Sequence, residues 1–128
     1  MNSLEFNNKY LLGREIEDLG GYSWLKPHVI PKIVCKDGFS VSLQASRTHY
    51  AGPRNDLGPW YKVELGFPSE GDTRLNEYMD FYSSDENEIP DPTANVYGYV
   101  PLDIVLEVFE SHGGIDEDAT KHWSGEDI

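Results

Sequence analysis

Lys36-Asp37-Gly38 lies between two apolar runs, and this placement restricts the middle of the chain more than any other feature of it. Val29, Ile30, Ile33, Val34 and Cys35 come before it as a largely β-branched run, whose stiff side chains suit a pleated surface. Phe39, Val41 and Leu43 follow, alternating with Ser40, Ser42 and Gln44, the period-two pattern of a strand with one buried and one wet face. Asp-Gly tolerates positive φ, so the two runs fold back on each other as a hairpin over 29–45.

Two further strands are expected. After the Gly/Pro-rich loop Ala51 to Pro59, the residues Trp60, Lys62 and Glu64 separate from Tyr61, Val63 and Leu65 onto opposite faces of a strand near 59–66. Val96 to Val100 reads as a short apolar strand. Between them Thr73 is placed to cap a short helix through Asn76, Tyr78, Met79 and Phe81, and the acidic stretch from Ser83 to Thr93 reads as a surface loop. Pro101 suits a first helical position, Leu102, Val105, Leu106, Val108 and Phe109 recur at helical spacing, and Gly113-Gly114 is a stop. At the other end Tyr10, Leu11, Arg14, Ile16 and Leu19 approximate helical spacing before Gly20-Gly21, which predicts a helical extension over 1–25. Beyond Asp116 nothing is periodic, so 116–128 is expected to be an acidic mobile tail. The whole reads as one α+β domain over 1–115, a small antiparallel sheet packed by N-terminal and C-terminal helices. A length of 128 residues suits a single core that needs neither a disulfide nor a metal.

Charge sets the permitted partners. Residues 1–69 hold 7 acids and 8 bases (+1), whereas residues 70–128 hold 16 acids and only Arg74 and Lys121 (−14), which together give −13. Such a field repels phosphate backbones and anionic lipid and attracts basic surfaces, so no direct nucleic-acid binding is expected of the second half. No apolar stretch approaches the roughly 20 residues that span a bilayer, and the first twelve residues have neither a basic leader nor an apolar core, so no membrane partner is expected. Cys35 is the only cysteine, which precludes an internal disulfide and fits a reducing compartment, the cytoplasm being the simplest.

The densest chemical cluster runs from Ser46 to Asp56 and joins an imidazole, a phenol and two guanidinium groups to a Gly/Pro loop. His49, Tyr50, Arg54 and Trp60 could there clamp a nucleotide-like anion and stack on its base, although a strand end with solvated arginines and a structural histidine explains the same residues. The motifs of common catalytic sites are missing: there is no GxSxG, HExxH, Walker loop or CxxC, and Cys35 within a strand is a small hydrophobe before it is a nucleophile. His28, His49, His112 and His122 are scattered without ligand spacing, so no metal and no cofactor are expected. His112, in the last turn of its helix, is accounted for by the negative helix end. The acidic residues have more order. Asp103, Glu107 and Glu110 fall at i, i+4 and i+7 on one helix face, and Asp85, Glu86, Glu88 and Asp91 lie nearby in sequence. Together they could present a phosphate-like array to a basic groove, or serve merely as the wet face that any amphipathic helix needs.

Two segments, VCKDGFSVSLQASRTHYAGPRNDLGPWYKVELGFPSE and NVYGYVPLDIVLEVFESHGGI, resemble small acidic proteins of tailed bacteriophages, and the resemblance covers roughly residues 29–114. It implies no catalytic assignment. It does imply a context: a non-enzymatic protein in the host bacterial cytoplasm that binds and modulates a host or defence protein with a basic surface. Asp85, Glu86, Glu88, Asp91, Asp103, Glu107 and Glu110 would then be the contact residues.

Overall fold

The computed structural model describes residues 1–12, 16–19, 22–25, 32–55, 58–80 and 90–120. Helix α1 (Ser3–Phe6) runs into a π-helical turn (Asn7–Leu11), followed by β1 (Ile16–Leu19), β2 (Tyr22–Leu25), β3 (Ile33–Val34), β4 (Ser40–Gln44), β5 (Lys62–Gly66), β6 (Val96–Pro101) and α2 (Leu102–Ser111). Short 3-10 turns cover Thr73–Tyr78 and Pro92–Ala94. Strands β3 to β6 form one antiparallel sheet in chain order, and β1 and β2 pair separately. With helices contributed by both ends of the chain, this is a small α+β fold.

The central hairpin closes at the Asp-Gly pair. Gly38 has φ +96, the Cys35 carbonyl accepts from its N–H at 2.9 Å, and the Asp37 carboxylate accepts from the Phe39 N–H at 2.9 Å. Val41, Leu43, Val63 and Leu65 are buried, while Ser40, Ser42 and Glu64 of the opposite parity are half-exposed. The helical extension expected over 1–25 is not what forms. Ile16–Leu19 pairs antiparallel with Tyr22–Leu25, and Gly20-Gly21, read as a helix stop, lies outside the described residues. The helix ends earlier, at Leu11.

The alternation expected from Trp60 onward also fails. Trp60 is buried and Tyr61 exposed, the reverse of the parity that puts Val63 and Leu65 inside. Before Lys62 the chain pairs with Gly52 instead of β4: Tyr61 N–H donates to the Gly52 carbonyl, and Gly52 N–H to the Lys62 carbonyl, each at 2.9 Å. Trp60 is held from the other side by Asn7. The Asn7 side-chain oxygen accepts from Trp60 N–H at 2.7 Å, and its NH2 donates to the Trp60 carbonyl at 2.7 Å and the Ser3 carbonyl at 2.8 Å. An amide has donors and an acceptor side by side, so one buried side chain satisfies both backbone groups of Trp60 as a neighbouring strand would. Phe6 then packs on Tyr10 and Phe109, with ring centroids 4.9 and 6.2 Å apart, joining the first helix to the last.

Both edges of the sheet are covered. Along β6, Asp80 N–H donates to the Val96 carbonyl at 2.7 Å and Tyr99 N–H to the Tyr50 carbonyl at 2.9 Å. Along β3, Lys36 N–H donates to Gly114 at 3.0 Å, and Asp116 N–H to Val34 at 2.8 Å. The Thr120 hydroxyl accepts from Val34 N–H at 2.7 Å and donates to its carbonyl at 3.0 Å. Residues 116–120 are therefore not part of the mobile tail expected from 116. Residues 116–120 cover the open edge of β3, which would otherwise offer unpaired backbone groups to other chains. Asp116 accepts from the amides of Asp118 and Ala119, and Glu117 pairs with Lys9. The rest of the expected tail, 121–128, lies outside the described residues.

Two substitutions test these anchors. Asn7→Leu keeps the bulk but strands the Trp60 backbone groups, and should lower unfolding free energy by about 2–4 kcal/mol. Thr120→Val should cost about 1–3 kcal/mol by the same reasoning. Urea unfolding followed by tryptophan fluorescence measures both, and a change under about 0.5 kcal/mol in either would contradict the role given to that residue.

Candidate functional site

Helix α2 sorts its side chains cleanly. Leu102, Val105, Leu106, Val108 and Phe109 are buried, and Asp103, Glu107 and Glu110 are exposed. At 100° per residue the three acids fall within one narrow stripe. A single cation stands beside it. Arg74 forms a fork with Asp72, Nε to Oδ1 at 2.9 Å and Nη2 to Oδ2 at 2.6 Å, and donates to Ser111 Oγ on α2 at 2.9 Å. The hydrogen bonds that Arg74 donates to Asp72 hold Arg74 above its ordinary pKa, with the charges of Asp72 and Glu107 adding, and in turn lower that of Asp72. Among the described residues of the second half, Arg74 is the only lysine or arginine.

The remaining acidic candidates divide. Asp91 caps the 3-10 turn Pro92–Ala94, accepting from Thr93 N–H at 2.9 Å and the Thr93 hydroxyl at 2.7 Å, bonds that hold its carboxyl below the usual range. It has a local structural task. Asp85, Glu86 and Glu88 lie outside the described residues.

The 46–60 candidates also separate. His49 Nδ1 sits 2.6 Å from Ser46 Oγ, which is itself 3.0 Å from Thr48 Oγ1, so the imidazole closes a local polar turn. Trp60 is 1% exposed and belongs to the core, so it forms no wall of a ligand site. Tyr50 and Arg54 do meet at the surface. The Tyr50 ring lies 5.8 Å from that of Tyr99, and Arg54, its Nε donating to the Arg47 carbonyl at 3.2 Å, brings Nη1 to 3.5 Å from the Tyr99 hydroxyl.

Tyr50 and Tyr99 open onto a groove of about 260 Å³ completed by Tyr78, Met79, Asp80 and Gly98. A bulge in β6 makes it. Val63 faces Val100 and Leu65 faces Tyr97, so three steps of β6 match two of β5 and both Tyr97 and Val100 turn inward. The extra residue leaves Tyr99 at φ +51, a left-handed conformation that costs a non-glycine residue on the order of 1 kcal/mol or more, with its ring 40% exposed. Gly98 lets Tyr50 approach, since a β-carbon there would stand 3.2 Å from Tyr50 Cβ. Reasoning from sequence missed Tyr78, Met79, Asp80, Gly98 and Tyr99. The glycine inside the strand, between two tyrosines, was the available signal of a bulge or a close approach.

Two groups outside the groove have structural tasks. His112, at the C-terminal end of α2, places Nδ1 2.6 Å from the Asp37 carboxylate and stacks on Phe39 at 4.2 Å, so it joins helix to hairpin turn as well as meeting the helix end. The Phe39 N–H bond, followed by the His112 bond, holds Asp37 below its ordinary pKa. Burial, with Asp37 nearby, pushes the Cys35 thiol up to about 11. Among the described residues, no group of three or more His, Cys, Asp or Glu side chains could hold a metal ion. Nor is any helix there long and apolar enough to cross a membrane. No protein-family model, curated protein or solved structure matches the chain.

Two outcomes follow. Asp37 has a lowered folded pKa, so its stabilisation is full above the ordinary value of 3.8 and is lost as pH falls through the folded one. The difference in Tm between wild type and Asp37→Asn, present at about pH 5, should shrink below 3.8, and a difference still undiminished near pH 2 would contradict the assignment. Cys35 should react with a thiol reagent near pH 8 only as fast as the protein unfolds, whereas rapid labelling of the native state would contradict its burial.

Proposed function

We propose that the chain is a non-enzymatic, phage-type protein that binds and modulates a host or defence protein, its acidic half facing a basic, nucleic-acid-binding surface of that partner in the bacterial cytoplasm. The observation that carries this reading is the stripe Asp103, Glu107 and Glu110, exposed on a helix whose opposite face is buried. Such a helix holds its charges in fixed relative positions, as a phosphate backbone does, where a flexible acidic tail would not. The charge of −14 over residues 70–128 extends the attraction beyond contact range and speeds encounter with a basic surface.

The alternative, a nucleotide-like ligand held by His49, Tyr50, Arg54 and Trp60, has less support. Trp60 is in the core and His49 is engaged by Ser46. The groove beside Tyr50 holds about 260 Å³, below the roughly 300–1,000 Å³ of pockets that take whole small molecules.

Capture from bacterial lysate with matched baits tests the proposal. Changing Asp103, Glu107 and Glu110 to Asn or Gln removes three charges at a stability cost within about 0.5 kcal/mol each. A control triple at Glu5, Asp118 and Glu126 removes the same charge elsewhere in the chain. Residues 116 and 117 are unsuitable controls because Asp116 caps a turn and Glu117 pairs with Lys9. The stripe variant should lose its partners, with an association rate lower by on the order of tenfold at low salt, and the control should keep them. Equal losses in both would reduce the effect to net charge, and unchanged capture in both would remove the stripe from the interface.

A further inference from the structure

The aromatic groove has its own chemistry, separate from that of the stripe. It is lined by Tyr50, Tyr78, Tyr99, Met79 and Gly98, and among the described residues its only carboxylate is Asp80. Desolvation, followed by the charge of the neighbouring Glu77, raises the Tyr78 pKa. Aromatic faces carry negative potential and attract cations, and a carboxylate at the rim strengthens the preference. Anions find the opposite here. Arg54 reaches the Tyr99 hydroxyl at 3.5 Å and is itself engaged by the Arg47 carbonyl.

The geometry points to an arginine side chain of the basic partner as the occupant of this groove, an inference that rests on the proposed function. Its guanidinium would lie over the exposed pair of rings formed by Tyr50 and Tyr99, which pack on each other at 5.8 Å and 41°, and donate to the Asp80 carboxylate. Two observations, together with the chemistry of guanidinium, select this occupant. The volume of about 260 Å³ suits one long side chain better than a whole ligand. Guanidinium is planar, stacks on aromatic rings and pairs with carboxylates in a fork, which an ammonium group cannot do. The chain also maintains an unfavourable backbone conformation at Tyr99, φ +51, in a place where the ring is 40% exposed and adds little to the core. Strain kept at an exposed aromatic residue is characteristic of binding sites. Tyrosine and arginine are also the residues that dominate the energetics of protein interfaces. The stripe on α2 would then steer the partner, and the groove would hold it.

Titration of the full chain with acetyl-Gly-Arg-Gly-amide, followed by NMR, reads the groove without any partner. The Gly98 amide and the ring protons of Tyr50, Tyr78 and Tyr99 should shift. The twin peptide with citrulline, which has the same shape without the charge, should bind at least tenfold more weakly. Asp80→Asn should weaken arginine binding several-fold, and Tyr50→Leu, at an exposed site, should abolish the groove shifts while Tm stays within a few degrees. Shifts equal with citrulline, shifts confined to α2, or tighter binding of adenosine monophosphate than of the arginine peptide would each overturn the assignment. Changing Asp103, Glu107 and Glu110 to Asn or Gln should leave the peptide titration unaltered, so the two readings fail separately. A silent groove with stripe-dependent capture removes only the arginine site, and a responsive groove with stripe-independent capture removes only the steering surface.

Discussion

Strand β6 carries one residue more than the strand it pairs with, and much of the molecule follows from that excess. Because Val100 faces Val63 while Tyr97 faces Leu65, two side chains an odd number of steps apart both reach the core. The surplus is absorbed at Gly98 and Tyr99, where the backbone turns left-handed and one tyrosine ring is pushed into solvent. The same shift leaves Tyr99 N–H facing the Tyr50 carbonyl, which ties the 46–54 loop to the sheet edge and brings a second ring alongside. Immediately beyond, Val100 fixes the point from which α2 departs, and so the direction of its acidic face. A regular β6 would turn either Tyr97 or Val100 outward, because side chains alternate strictly along an unbulged strand.

The acids of this chain fall into two populations. Asp37, Asp72, Asp91 and Asp116 accept hydrogen bonds that hold turns or helix starts, and Glu117 pairs with Lys9. These carboxylates replace solvent contacts with local backbone donors, the usual use of aspartate in turns. Asp103, Glu107 and Glu110 are of another kind, exposed on a regular helix, and fold stability gains little from them. Their concentration adds self-repulsion to an already negative molecule.

How much of this was legible in the sequence depends on whether the signal was local. The hairpin at Asp37-Gly38, the β5 and β6 strands and the amphipathic α2 are written in period and turn chemistry, and they appear close to where that chemistry puts them. The pairing of Ile16–Leu19 with Tyr22–Leu25 was missed because Ile16 and Leu19 satisfy helical and extended spacing alike. Trp60 was placed in the wrong parity because its orientation is set by Asn7 and Gly52, partners that no local pattern reveals. The same is true of Thr120, which looks like tail until Val34 is beside it. Of the candidate site, the α2 stripe was readable because a helix face is a periodic object. The groove was not, since Tyr50, Tyr78 and Tyr99 meet only through the bulge and the covered edge of β6.

Together these features describe a small scaffold with covered edges that presents an acidic helix and a tyrosine-lined groove, and in the proposed function the first acts at a distance and the second at contact. Charge steering is screened by salt, whereas a desolvated aromatic contact is much less so. The most direct test is the association rate constant of the captured partner, measured with the wild-type chain from low salt to about 1 M, where the screening length falls to roughly 3 Å. The account predicts a rate that falls steeply with salt while the dissociation rate changes little. An association rate that does not respond to salt would contradict it.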